Sequence, residues 1–178
     1  LSIIAGAGWE PLCKMLEGEL TEQEISFGTE ITQRVGEMLD LLSIHPKTLI
    51  HSDLRADNLL FDREGNKVFI VDWQGTSKGP AGWDLAYFMS QSLSVETRRE
   101  NEAMLLDRYM RSLEENGKNL DPAEALAGYA DAMLYGLVIA CSLPLISDEN
   151  EKRVKELASV MTRRSFEAMK DHNKFLIN

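Results

Sequence analysis

The sequence predicts a mainly helical α+β fold, and three observations carry that reading. Helix-start signals at Thr21, Ser94 and Asp121 each precede a long run with apolar residues at helical spacing. Short β-branched and aromatic runs, together with a cluster of glycine and proline, are confined to one region, 48–82. The 178 residues are 44% hydrophobic and 27% charged, the composition of a globular protein with a core to bury.

Taken in order, residues 1–18 hold Gly6, Gly8 and Pro11 among mixed apolar residues, which predicts a loop leading into a short helix near Pro11. Gly6 and Gly8 form a G-x-G, but with no strand before it and no third glycine a flexible start is the better reading than a phosphate cradle. Thr21-Glu22-Gln23-Glu24 is a capping box. Ile31, Val35, Met38, Leu39 and Leu42 then predict one amphipathic helix over 22–44, ended by His45-Pro46 because a residue before proline is pushed out of the α region. Residues 48–50 form a short apolar strand that ends at His51. Residues 58–61 and 67–71 flank the polar connection Asp62-Arg63-Glu64-Gly65-Asn66 and read as a β-hairpin. Residues 75–82, with three glycines and Pro80, read as a loop. Helices follow over 83–92, from Ser94 to about Glu115 with Met104 among its inner residues, from Pro122 to about Leu143, and after Ser147 with Leu157 and Ala158 in its inner stripe. Asn116-Gly117 ends the second of these in a left-handed turn, and Pro144 closes the third.

With 29 acidic and 19 basic residues the net charge is −10, which opposes a surface built to neutralise nucleic-acid phosphates or anionic lipid. Cys13 and Cys141 have no metal-ligand or redox spacing, so a reduced, cytoplasmic setting is expected. No targeting segment is expected, and the most apolar run, 132–141, is short for a membrane span, so no membrane role is expected either.

The chemistry concentrates in 49–84. Asp53 stands five positions before Asn58 and nineteen before Asp72, each at the edge of a strand-like run. Phosphoryl transfer from ATP needs a group beside the acceptor hydroxyl to orient or take its proton, and oxygen ligands to hold magnesium against the phosphates. One aspartate meets the first need; an amide oxygen and a second carboxylate meet the other.

Residues 51–58, His51-Ser52-Asp53-Leu54-Arg55-Ala56-Asp57-Asn58, resemble the H-x-D-x-x-x-x-N loop of protein kinases and of the aminoglycoside phosphotransferase and choline kinase-like families. Ile70-Val71-Asp72-Trp73-Gln74 is similar to the metal-binding aspartate segment of those small-molecule kinases, and the stretch from Gly79 through Asp84-Leu85-Ala86 is similar to the G-x-x-x-x-D-L-A segment after it. No activation segment or A-P-E follows, which selects the small-molecule branch over a protein kinase. The resemblance implies the C-terminal lobe of a protein-kinase-like fold over 21–178, with its metal site on the small hairpin, a loop at 51–58, a metal segment at 70–74 and a helical subdomain at 83–172. It implies Asp53 as catalytic base, Asn58 and Asp72 as magnesium ligands, and His51 and Asp84 as braces of the loop. Arg55 is a candidate contact for substrate or phosphate, with a solvated or Asp57-paired arginine as the plainer reading. Ser52 departs from the glycine that many of these kinases carry.

No glycine-rich strand-turn-strand precedes Thr21, so residues 1–20 read as a lead-in from an upstream nucleotide lobe, and the chain by itself is expected to lack efficient activity. A catalytically idle kinase-like binding module is the alternative, with a protein kinase fragment the less favoured one. The expected co-substrate is ATP with Mg2+ and the expected partner a small-molecule hydroxyl compound, with dimers formed through an apolar surface the missing lobe would cover. Trp73 and Trp83 read as packing around the loop; His45 and His172 carry no assignment.

Overall fold

The computed structural model describes residues 1–118, 121–147 and 152–172; the end of the expected lobe, 173–178, lies outside them. The chain divides into two units, 1–41 with 133–178, and 42–132.

The first unit begins where a loop was expected. Residues Ser2–Met15 form helix α1, which runs through Gly6, Gly8 and Pro11. Ala5, Trp9, Leu12 and Met15 fall on one buried face, and packing of that face outweighs the weak intrinsic helicity of glycine and proline. Gly8 is required by proximity: a Cβ there would lie 1.9 Å from the Cys141 carbonyl oxygen. Its role is close packing, so the G-x-G is neither a phosphate cradle nor a hinge.

The expected helix over 22–44 is two helices, α2 (Glu22–Gln33) and α3 (Val35–Ile44), parted at Arg34, with Gly36 in the first turn of α3. The capping box forms as read: the Glu24 amide donates to Thr21 Oγ1 (3.2 Å) and the Thr21 amide to Glu24 Oε2 (3.0 Å). Trp9 locks α1 to α2, its indole N–H donating to Thr29 Oγ1 (3.0 Å) while its ring meets Phe166 edge-on.

The second unit holds four strands, β1 (Lys47–Ile50), β2 (Leu59–Phe61), β3 (Val68–Ile70) and β4 (Ser77–Pro80), paired as two antiparallel ribbons. The hairpin β2–β3 is as expected, with Asp62 Oδ1 accepting the Asn66 and Lys67 amides and Gly65 at φ 72°. The segment 75–82 is not a plain loop, because β4 within it pairs with β1, Lys47 opposite Pro80 and Ile50 opposite Ser77. Gly79 reads as flexibility in sequence but serves close approach: a Cβ there would lie 2.4 Å from Ile50 Cδ1.

Helix α4 (Trp83–Ser92) and helix α5 (Val95–Glu115) follow, the latter capped by Ser94 Oγ, which accepts the Thr97 amide (3.1 Å). Gly117 at φ 69° and the Lys118 amide bonded to the Leu113 carbonyl close α5 in a left-handed turn. Helix α6 (Pro122–Ala132) starts on Asp121, whose Oδ1 accepts the Ala123 amide (2.9 Å).

The third long helix also breaks. After α6 come α7 (Tyr135–Ala140) and α8 (Leu143–Ile146), with Pro144 in the first turn of α8 where proline's missing N–H costs nothing, rather than acting as a stop. The stretch Pro122–Ile146 is long and apolar enough to cross a membrane by length and composition, yet it folds as these three helices with half of its most apolar window buried. Helix α9 (Lys152–Asp171) completes the first unit, burying Ala158, Met161, Phe166 and Met169. Met104 and Leu157, read as inner residues, lie largely exposed: the inward turns of α5 are occupied by Val95 and Arg98, and those of α9 by Ala158 and Met161.

Candidate active site

The 51–58 loop leaves β1 and is held by a single carboxylate. Asp84, in the first turn of α4, accepts the His51 amide at Oδ2 (2.7 Å) and the Ser52 amide at Oδ1 (2.9 Å). Both oxygens point at adjacent backbone donors, so the clamp fixes the peptide as well as a point on it.

His51 is buried, and its two ring nitrogens have distinct partners. Nε2 lies 2.8 Å from the Val71 carbonyl, which can only accept, and Nδ1 lies 3.3 Å from the Asp53 amide, which can only donate. The ring is therefore neutral with its proton on Nε2. It links the residue that begins the loop, the amide of Asp53 and the residue before Asp72. Trp73 packs on it at 4.8 Å between ring centres, and its own indole donates to the Ile70 carbonyl (2.8 Å). The packing reading of this tryptophan holds, although half of its surface stays exposed.

Asn58 is buried with its side chain turned toward Asp53: Nδ2 donates to the Asp53 carbonyl (2.8 Å) and to its carboxylate Oδ2 (3.2 Å). Both amide hydrogens are thereby used on Asp53, which leaves Oδ1 as an acceptor. The Asn58 carbonyl accepts the Val71 amide (3.0 Å), extending the hairpin ladder by one step, so that Val71 stands opposite Asn58 and Asp72 follows it in the chain. Asp72 adopts left-handed backbone geometry, φ 64° and ψ 53°, and its carboxylate is exposed. An amide oxygen and a carboxylate are a hard donor pair that fits Mg2+ completed by phosphate and water oxygens. Among the described residues no group of three or more histidine, cysteine, aspartate or glutamate side chains forms a metal cluster, so a cation here depends on those outside ligands.

Arg55 sits between two carboxylates, Nε 3.6 Å from Asp53 Oδ1 and Nη1 3.8 Å from Asp57 Oδ2. Both are charge contacts longer than hydrogen bonds, and Nε has no hydrogen-bond partner. Two further residues support the loop, Ser92 without any signal in the sequence and Ser52 flagged there only as a departure from glycine. Ser92 Oγ accepts the Ala56 amide (2.9 Å), and Ser52, at φ 72°, pairs its hydroxyl with Ser77 on β4 (2.8 Å). A left-handed serine where related loops carry glycine means the backbone shape is kept while a side-chain bond to the neighbouring ribbon is added.

A helical fold carrying this aspartate–asparagine loop and an aspartate hairpin belongs to the kinase-like class. Within that class, the chain belongs to the ecdysteroid kinase-like family, whose model matches residues 12–121. That is a kinase-like family, as the motifs imply; the match shows this kinase-like membership and not the finer resemblance to the aminoglycoside phosphotransferase and choline kinase-like families. An uncharacterized kinase-like protein of Caenorhabditis elegans is 33% identical over 106 residues, 57% of this chain and 27% of that protein. A 4-hydroxytryptamine kinase of Psilocybe cubensis is 28% identical over 105 residues, 54% of this chain and 29% of that protein. The chain thus spans less than a third of the length of these relatives.

Proposed function

We propose that this chain carries the acceptor and metal side of an ATP-dependent small-molecule phosphotransferase. The observation that carries the reading is the arrangement of Asn58, whose side-chain NH2 donates to the Asp53 carbonyl and carboxylate, leaving its Oδ1 as an acceptor, while its backbone carbonyl pairs with the amide of Val71, the residue before Asp72. One side chain thus orients the carboxylate that would receive the acceptor proton and supplies an oxygen to the cation.

In this reading Asp53 is the catalytic base: its carboxylate accepts a hydrogen bond from the acceptor hydroxyl and takes the proton as the oxygen bonds to the γ-phosphorus of ATP and the bond from that phosphorus to the β–γ bridging oxygen breaks, with ADP as the leaving group. Asn58 and Asp72 would hold Mg2+, which neutralises charge on the transferring phosphoryl group when bound. His51 and Asp84 keep the Asp53 backbone still, which matters because transfer depends on positioning more than on covalent chemistry. Arg55, in charge contact with Asp53 and Asp57, is the candidate for a contact with substrate or phosphate.

The test is transfer of labelled phosphate from Mg·ATP by the full-length protein to a panel of hydroxyl compounds that includes an ecdysteroid and 4-hydroxytryptamine. Asp53→Asn is expected to lower turnover by ~10²–10⁴ while leaving ATP affinity within a few-fold, the usual scale of losing a general base. Absence of transfer to every alcohol, or transfer indifferent to Asp53→Asn, overturns the proposal.

A further inference from the structure

The most costly side chains in the second unit lie away from the 51–58 loop. Arg98 on α5 is 1% exposed and pairs with Glu102 one turn on, Nη1 to Oε2 at 2.9 Å. A buried ion pair is weak evidence for stability, since desolvating two charges offsets most of their attraction. Such a pair calls for a role in fixing geometry.

Tyr129 on α6 shows what is fixed. Its hydroxyl is 2.5 Å from Glu102 Oε1 and 3.2 Å from Met89 Sδ. A phenol has one hydrogen, and it goes to the carboxylate, the far stronger acceptor; the sulfur contact is packing. Burial, followed by the bond to Glu102 and its charge, pushes the Tyr129 phenol well above its ordinary value, so it remains a donor at any accessible pH. The backbone of Tyr129 meets α4 a second time, so closely that a Cβ at Gly82 would lie 2.7 Å from Tyr129 Cα. The two contacts, at Gly82, the residue at the N-terminal cap of α4, and at Met89 within the helix, are seven residues or about 10 Å apart along the axis, and Asp84 lies between them. A helix touched at two points along its length can neither slide nor turn freely, and Asp84 is the residue on that helix which clamps the His51 and Ser52 amides.

We propose that Tyr129, anchored by the buried Arg98–Glu102 pair, is a positioning residue that sets Asp84 and through it the backbone of the Asp53 loop. The proposal rests on the phosphotransferase reading for its consequence, and on geometry alone for the coupling. Loss of the hydroxyl removes the Tyr129–Glu102 bond and the hydroxyl's contact with Met89, which loosens the seat of α4, so the Asp84 clamp lengthens.

The experiment compares Tyr129→Phe and Gly82→Ala with the wild-type chain by amide NMR, alongside turnover of the full-length protein. In both variants the His51 and Ser52 amide protons are expected to move upfield as their bonds to Asp84 lengthen, while the Trp9 indole proton, bonded to Thr29 in the first unit, stays in place. Turnover should fall ~10–100-fold, the scale of a misplacement of about an ångström, with KM for ATP unchanged. Unmoved His51 and Ser52 amides in Tyr129→Phe, whatever its thermal stability, overturn the proposal and leave Tyr129 as core packing. If the amides move in a protein whose wild type transfers no phosphate, the coupling stands and the phosphotransferase reading falls.

Discussion

Asp84→Asn tests the clamp directly. In the wild type two backbone N–H groups, on His51 and Ser52, donate to the two carboxylate oxygens at 2.7 and 2.9 Å. Asparagine keeps one acceptor and turns an NH2 toward the other amide. The lost bond is to a charged group, worth ~1.5–3 kcal/mol, and an amide left facing a donor adds ~1–3 kcal/mol. Asp84 is half-buried, so solvent recovers part of the sum, and the expected cost is about 3 kcal/mol. For a chain of 178 residues this lowers Tm by ~6–12 °C. The assay is urea and thermal unfolding followed through tryptophan fluorescence, because Trp73 packs on His51 and reports the loop. Asp84→Ala, which removes both acceptors without adding a donor, should cost at least as much. An Asp84→Asn protein within about 0.5 kcal/mol of wild type, the range of ordinary surface substitutions, would mean the amides find water instead and that Asp84 does not hold the loop.

Two other substitutions separate readings that look alike in sequence. Gly6→Ala, with nothing within 4 Å of its Cβ, should stabilise α1 by ~0.5–1 kcal/mol, whereas Gly8→Ala, driven into the Cys141 carbonyl, should destabilise by ~2–3 kcal/mol; equal effects in urea unfolding contradict the packing of α1. At Glu24, burial works upward on the carboxyl, but hydrogen bonds from the Thr21 backbone and side chain and from Lys170 hold it below the ordinary glutamate value. A depressed folded-state pKa contributes stability that is present above the unfolded value and lost as pH falls through the folded one, so Glu24→Gln should flatten the acid side of the stability profile and leave its alkaline side parallel to wild type. An unchanged acid slope refutes that account of the capping box.

What the sequence determined by itself is the part written in local chemistry. Thr21-Glu24, Ser94, Asp121 and Gly117 act through bonds to backbone groups within a few residues, so their side chains specify helix ends wherever the helix goes. The same holds in part for the spacing of Asp53, Asn58 and Asp72: a tight loop and a three-pair strand ladder set Asn58 on Asp53 and Val71 opposite Asn58, while the backbone of the loop is held by Asp84 and Ser92 from farther along the chain. Tertiary structure decided the rest. Gly8 and Gly79 look like breaks because the reason for having no side chain is a partner far away in sequence, Cys141 in one case and Ile50 in the other. The helix over 122–143 looks continuous because apolar periodicity says how much to bury, not against what, and the chain breaks so that α6 serves one unit and α7 the other. His45 carried no signal, yet its Nε2 meets Asp131 at 3.0 Å, and Arg98 carried none either, although α6 places Tyr129 on its partner Glu102. A polar side chain's worth depends on whether water is replaced by a partner, and partners eighty or thirty residues away are chosen by packing, which no local pattern records.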